Sequence, residues 1–159
     1  MDKIEIEPIG IIHTSLKQAG GAPIQPAFAK DTSGVVELEE KYAEGLKDLD
    51  GFDRIWLIFN CNRCSGYKLT VTPYMDTQPR GLFSTRAPAR PNAIGMSAVK
   101  LDRIEGCKLY ISELDILDGT PLLDIKPYTP KFDHLETERC GWMGQVGEQK
   151  GVADERFHK

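Results

Sequence analysis

Two stretches of the chain carry residue types that can do chemistry. The first, RGLFSTRAPARPNAIG at residues 80–95, holds three arginines and no acid, with Pro88 and Pro91 set among them. A proline biases the residue before it toward extended conformations, here Ala87 and Arg90. The segment is therefore pre-stiffened, so Arg86 and Arg90 can be aimed with little loss of entropy. A guanidinium fork donates two parallel hydrogen bonds, which suits a carboxylate or a phosphate. Asn92 adds a neutral donor and acceptor, and Gly95 lets a ligand or a neighbouring backbone approach closely. The competing account is a rigid turn whose arginines pair with Asp115, Asp118 or Asp124 of the same chain.

The second stretch, LDILDGTPLLDIKPY at residues 114–128, gathers Asp115, Asp118 and Asp124, then Lys126 and Tyr128. If DIKPY is extended, Asp124, Lys126 and Tyr128 project from one face at period two. An acid, an amine and a phenol on one face can bind a polar ligand or move a proton. Against this, Asp118-Gly119 reads as a turn, and Asp124 with Lys126 as a modest surface ion pair. His13, His134 and His158 are scattered, which argues against a histidine-based nucleophile or metal cluster. Cys61 and Cys64 form a C-x-x-C, but Cys107 and Cys140 lie far apart, so a four-cysteine zinc site is not expected. Trp56 and Phe59, within RIWLIF, read as core residues rather than base-stacking platforms.

These residues must be held by a frame, and the pattern around them is that of strands. IEIEPIGIIHT has strand composition interrupted at Pro8, GVVELEE is a second strand, and RIWLIFNCN a dense, central one. KLTVTPYM alternates and reads as a strand as well. NAIGMSAVKLDRIEGCKLYISELDIL gives two more strands around a turn at Glu105-Gly106. KQAGGAPIQPAFAK, 17–30, reads as a loop, and KYAEGLKDLDGFD as a short polar helix or turn. Short strands with turns between them, and no long 3.6-residue period, predict a mainly β barrel with short helices. No dinucleotide glycine fingerprint or P-loop follows a strand.

With 159 residues, 40% hydrophobic and 28% charged, the chain is long enough for one core without staples. The expected organisation is a barrel domain over 1–133 and a C-terminal tail over 134–159, anchored by Trp142, Met143 and Phe157. No apolar run reaches the length of a membrane span and no secretory leader opens the chain, so a cytoplasmic address is expected. The net charge is −4, yet residues 77–101 contain Arg80, Arg86, Arg90 and Lys100 and no acid. An acidic protein with one acid-free basic segment implies a local anion site rather than a general polyanion binder.

Together, GLFSTRAPARPNAIG and LDILDGTPLLDIKPY closely resemble the TsaA-like family of methyltransferases called TrmO. IGIIHT and GFDRIWLIF are in register with the same family, and the likeness runs from about Ile4 to Phe132. The resemblance implies a small β-barrel unlike the usual Rossmann methyltransferases, a homodimer, and S-adenosylmethionine bound near the subunit interface. It further implies N6-methylation of threonylcarbamoyladenosine beside the anticodon of transfer RNA, with no metal. Carried across, the cofactor contacts fall on Ile24, Gln25 and Pro26, then Asn62 and Arg63, then Arg86 and Met96. They end at Ser112, Glu113, Leu114 and Asp115. Arg90 and Asn92 become substrate contacts, and Asp124, Lys126 and Tyr128 the candidates for a base or its orienters. Two departures stand out: Asn62 replaces a histidine common in relatives, and the chain is expected to lack their extra C-terminal domain. Left open are a small-molecule or other nucleoside acceptor, and a module that binds the donor without chemistry.

Overall fold

The alternation seen in RIWLIFN sets the pattern for the whole frame. In the computed structural model, which describes residues 2–146 and 151–157, Ile55, Leu57 and Phe59 of strand Arg54–Asn60 point inward and are buried. Trp56, Ile58 and Asn60 point outward, as the two-residue period requires. The strands are β1 (Gly10–Thr14), β2 (Ser33–Leu38), β3 (Arg54–Asn60), β4 (Thr70–Val71), β5 (Arg80–Gly81), β6 (Ile94–Glu105), β7 (Lys108–Ser112) and β8 (Thr120–Pro127). Six of them close into an antiparallel barrel in the order β1-β2-β7-β6-β3-β8, while β4 and β5 form a small separate ladder. Helix is confined to 3-10 turns and to one short α-helix, α1, at Pro130–Asp133. The mainly β expectation therefore holds.

The barrel is filled by inward side chains from its strands and from the loop after β7. Ile12, Val36, Leu57, Val99, Leu109 and Leu114 have no solvent exposure. Each such side chain contributes about 1.5–3 kcal/mol by leaving water. Because the strands are antiparallel, the connections sort to two ends. Short or compact links, including the tight β6–β7 turn with Gly106 at φ 58°, occupy one end. The connections 15–32, 61–93 and 113–119 occupy the other. That second end carries nearly every candidate residue from the sequence.

Two strand expectations change. KLTVTPYM forms a ladder only at Thr70–Val71, paired with Arg80–Gly81. Pro73 breaks the run, and the rest is drawn into the 61–93 loop. Residues 2–9 add no strand: the ladder with β8 ends where the Ile9 amide donates to the Leu122 carbonyl, because Pro8 has no N–H to continue it. No helix among the described residues is long and apolar enough to cross a membrane.

The β1–β2 seam needs glycine at Gly10. A Cβ there would lie 2.4 Å from the carbonyl oxygen of Glu37, a backbone atom that cannot swing away. Gly45, in the 3-10 turn Glu40–Leu46, has nothing within 4 Å of the same position. Urea denaturation should therefore show Gly10→Ala losing about 1–3 kcal/mol. Gly45→Ala should stay within about 0.5 kcal/mol of the wild type.

Candidate active site

These three loops enclose a cavity of about 540 Å³ over the open end of the barrel. They are tied to one another through backbone atoms. Arg63 donates to the carbonyl oxygens of Lys17 and Asp118, one in each of the other two loops. The Thr32 hydroxyl lies 2.6 Å from the Leu114 carbonyl and 2.7 Å from that of Ala29, and receives the Leu114 amide at 3.0 Å. Asp118 caps the end of β1 by accepting from the Thr14 amide at 3.0 Å, and pairs with Lys17 at 2.6 Å. The Lys17 ammonium and that amide hold the Asp118 carboxyl below the usual carboxylate range. Arg63 thus lines the cavity while also fastening its walls.

The proline-stiffened segment forms the side wall. Arg86 donates to the Gln25 side-chain oxygen at 2.5 Å, across from the 15–32 loop. Among the described residues it makes no ion pair with a carboxylate, and neither does Arg90. The pairing of these arginines with Asp115, Asp118 or Asp124, considered from sequence, does not form. Arg90 instead donates to the carbonyls of Thr85 and Ala87 in its own loop, and its guanidinium lies 5.6 Å from the Phe83 ring centre. It lines the cavity; Asn92 does not. Gly95 lines the cavity and makes room for the Phe59 ring, since a Cβ there would sit 2.3 Å from the ring. Phe59, Ile94 and Met96 then supply apolar wall.

Asp115 projects into the cavity from the loop after β7. Glu113, at φ 58°, turns the chain there and pairs with Arg54, whose guanidinium lowers the Glu113 carboxyl pKa. This turn sends Leu114 into the core and Asp115 to the cavity. The Ser97 hydroxyl donates to Asp115 at 2.6 Å. Burial pushes the Asp115 carboxyl up to about 6; the Ser97 bond and, more weakly, Arg86 pull the other way. Cys61 and Cys64 also line the cavity, and burial pushes the Cys61 thiol up to about 12. Both cysteines are free. No group of three metal-ligating side chains occurs among the described residues.

The cavity therefore gathers Ile24, Gln25, Asn62, Arg63, Arg86, Met96 and Asp115 from the expected donor contacts, and Arg90 from the expected substrate contacts. Pro26, Ser112, Glu113 and Leu114 lie outside its lining. Pro26 opens a 3-10 turn, and Ser112 hydrogen-bonds Asp102 at 3.1 Å. Asp124, Lys126 and Tyr128 stand apart on the outer barrel face. There Asp124 pairs with Lys126 at 2.7 Å, and Tyr128 packs on Trp56 with ring centres 5.7 Å apart. In register, Met96, Ile58 and Asp124 form one row across three strands, which puts Asp124 about 10 Å from Met96.

Sequence reasoning missed Tyr74 and Met75 as wall residues, and read Trp142, Met143 and Phe157 only as tail anchors. All five line the cavity. Their aromatic and thioether types in a polar loop and tail were the available signal. C-x-x-C was weighed for metal but not as a wall.

A family model described as the tRNA-methyltransferase O N-terminal domain matches residues 11–134. The chain belongs to the tRNA-methyltransferase O family. A probable S-adenosyl-L-methionine-binding protein of Pyrococcus abyssi is 52% identical over 136 residues, 86% of this chain and 74% of its own. The tRNA (adenine(37)-N6)-methyltransferase of Mus musculus is 36% identical over 134 residues, 80% of this chain but 31% of its own. A crystal structure of TrmO from Pseudomonas aeruginosa superposes with a TM-score of 0.75 at 34% identity, covering 89% of this chain and 62% of that one. This chain thus spans from about a third to three quarters of these relatives. The family and barrel fold inferred from the two motifs are both confirmed.

The half-buried Asp115 predicts a pH signature. Its raised pKa means that the folded chain keeps the proton where the unfolded chain, near 3.8, has lost it. Stability from this group is full at low pH and is lost as pH rises through about 6. Asp115→Asn should therefore gain about 1–3 kcal/mol over the wild type at pH 8 and little at pH 4. Urea midpoints at the two pH values check the sign.

Proposed function

We propose that this chain is an S-adenosylmethionine-dependent methyltransferase that methylates N6 of an adenosine in transfer RNA. The threonylcarbamoylated adenosine beside the anticodon is the acceptor, and the cytoplasm its place of work. The observation that carries the reading is the convergence of Gln25, Asn62, Arg63, Arg86, Met96 and Asp115 on one cavity. Its volume of about 540 Å³ suits a small-molecule cofactor.

The residues present fit the donor's chemistry. Among the described residues Arg86 has no carboxylate partner, and it offers a fixed cation to the donor's own carboxylate. Asp115 offers the opposite charge, as a half-buried carboxyl held by Ser97. Phe59, Ile94 and Met96 give apolar surface to the adenine. When bound, the donor supplies an electrophilic methyl group. The chain's task is mainly to align acceptor nitrogen, methyl carbon and sulfur, because the positive charge on sulfur is lost in the transfer. A carbamoylated N6 is a poor nucleophile, since its lone pair is delocalised, so loss of its proton assists the reaction. Asp124 or Tyr128, tuned by Lys126, takes that proton in this scheme.

Those three residues lie on the outer face of β3, β6 and β8, so an acceptor engaging them must cross that face. Trp56, Ile58, Ile94 and Met96 give the face an apolar patch, and Ile94 and Met96 carry it into the cavity lining. A homodimer through this face brings one subunit's Asp124 and Tyr128 toward the partner subunit's cavity. Arg90 and Asn92 then guide the RNA. The Pyrococcus relative's name speaks of donor binding alone, and donor binding without transfer is the second reading.

The deciding experiment incubates the protein with methyl-labelled donor and RNA from cells that lack it. Label in a single modified adenosine of transfer RNA is expected; donor binding with no labelled nucleoside favours the second reading. Arg86→Gln should weaken donor affinity by about 1.5–3 kcal/mol, roughly 10- to 100-fold by calorimetry. If Asp124→Asn and Tyr128→Phe both keep near-normal turnover, their proton-transfer role is excluded. Ile58→Glu should halve the solution mass by ultracentrifugation.

A further inference from the structure

The family domain ends at residue 134, yet the cavity does not. Trp142, Met143, Ala153 and Phe157 line it from the C-terminal side. They sit on a strap that crosses between two loops of the site. At one end the Trp142 indole donates to the Ser84 carbonyl at 2.8 Å, and the Arg80 guanidinium covers the ring at 5.5 Å. At the other, Pro23 and Val152 form an isolated antiparallel bridge. Around that bridge the amides of Gly21 and Ile24 donate to the Ala153 and Gly151 carbonyls, and the Ala153 amide to the Ala22 carbonyl.

Side chains fix the strap's depth. A Cβ at Gly151 would fall 2.1 Å from the Phe28 ring, so this position must be bare for the strap to lie so low. Phe157 packs on the buried cluster of Val71, Leu82 and Ala87, and meets Tyr74 edge-on at 5.1 Å. Arg156 pairs with Asp154 and donates to the carbonyls of Thr72 and Pro73 at 3.2 and 3.0 Å. The same loops carry Ile24, Gln25 and Arg86. Strap and donor contacts are therefore held by one set of bonds.

Leu114 was carried across as a donor contact beside Met96, but it is fully buried in the barrel core and offers the adenine no wall. Phe59, Ile94 and Met96 offer the ring one apolar surface, and Trp142 lines the same cavity from the strap. Trp142 is suited to stacking: one face lies under Arg80, its N–H is satisfied, and the ring lines the cavity. We propose that residues 141–146 and 151–157 form a wall of the donor site, in which Trp142 is the stacking surface for the donor's adenine. Phe157 and Arg156 are positioning residues that hold the strap. This rests on the donor reading above and adds a binding determinant outside the family domain.

Two ligands separate the ends of the site: S-adenosylhomocysteine, and 5′-methylthioadenosine, which keeps the adenine but lacks the amino-acid end. With the full chain, calorimetry should show Trp142→Ala weakening both by about tenfold or more. Arg86→Gln should weaken only the first. Trp142→Phe, which keeps an aromatic face, should recover most of the loss. The sequence has two tryptophans, so Trp56→Phe leaves Trp142 as the sole reporter. Its emission should change saturably with S-adenosylhomocysteine, which tests the contact without disturbing the strap. The proposal is overturned if Trp142→Ala binds both ligands within twofold of wild type, or if emission stays flat while calorimetry shows binding. No binding of either ligand by the wild type would remove the donor reading, and this one with it.

Discussion

Arg63 leaves the loop after β3 and donates to the carbonyl oxygens of Lys17 and Asp118, which belong to the two other loops at that end of the barrel. A closed barrel fixes where each loop begins and ends, but not how the loops lie over its mouth. Such loops keep much conformational freedom unless cross-linked, and each ordered residue costs about 1–2 kcal/mol of entropy. A guanidinium opposes that loss efficiently, because a single planar group bonds several carbonyls at once. Thr32 and Asp118 continue the net, the first by joining Ala29 to Leu114, the second by capping Thr14. The cavity exists because these bonds hold its walls at a set spacing.

Within that held frame, two groups stay electrostatically unfinished. Arg86 meets a neutral amide rather than a carboxylate, and Asp115 meets a hydroxyl rather than a cation. Elsewhere on the surface the same residue types pair readily, as Arg80 does with Asp76 and Arg156 with Asp154. Proximity explains part of the contrast, since those partners are near in sequence. It does not explain why Arg86, within electrostatic range of Asp115, bonds Gln25 instead. Leaving a cation and a half-buried acid separate across a cavity weakens the free protein and suits a zwitterionic ligand with a charge for each.

Much of this was legible in the sequence, and what was not has definite physical causes. A dense apolar run revealed β3, the turn at Glu105-Gly106 marked β6 and β7, and short strands with turns between them, together with the resemblance, pointed to the barrel. Acid-free charge beside Pro88 and Pro91 left Arg86 either available or paired with a nearby aspartate, and the resemblance chose the first. Local patterns could not show that KLTVTPYM would surrender its ladder to a loop, because that depends on what the loop must enclose. Nor could they separate Asp115 from Leu114: the positive φ at Glu113 turns one toward the cavity and the other into the core. Gly95 was rightly seen as a site of close approach, but the approaching group is the Phe59 ring. The strap was hardest, since Gly151 against Phe28 is a contact across more than a hundred residues with no local trace.

The row formed by Met96, Ile58 and Asp124 links the cavity to the outer sheet. Met96 belongs to both, lining the cavity from a strand whose outward residues are exposed. Methyl transfer requires acceptor nitrogen and donor methyl in near contact, so a base about 10 Å from Met96 along a rigid sheet cannot reach a nitrogen held inside its own cavity. It can act only on an acceptor whose base spans the lip, or on the cavity of a second subunit packed against this face. Both require the face to be covered during catalysis, and its apolar makeup is consistent with that. Geometry thus makes the placement of Asp124 and Tyr128 informative even before a base is assigned: if they act at all, the reacting centre lies at the rim, not the floor, of the cavity.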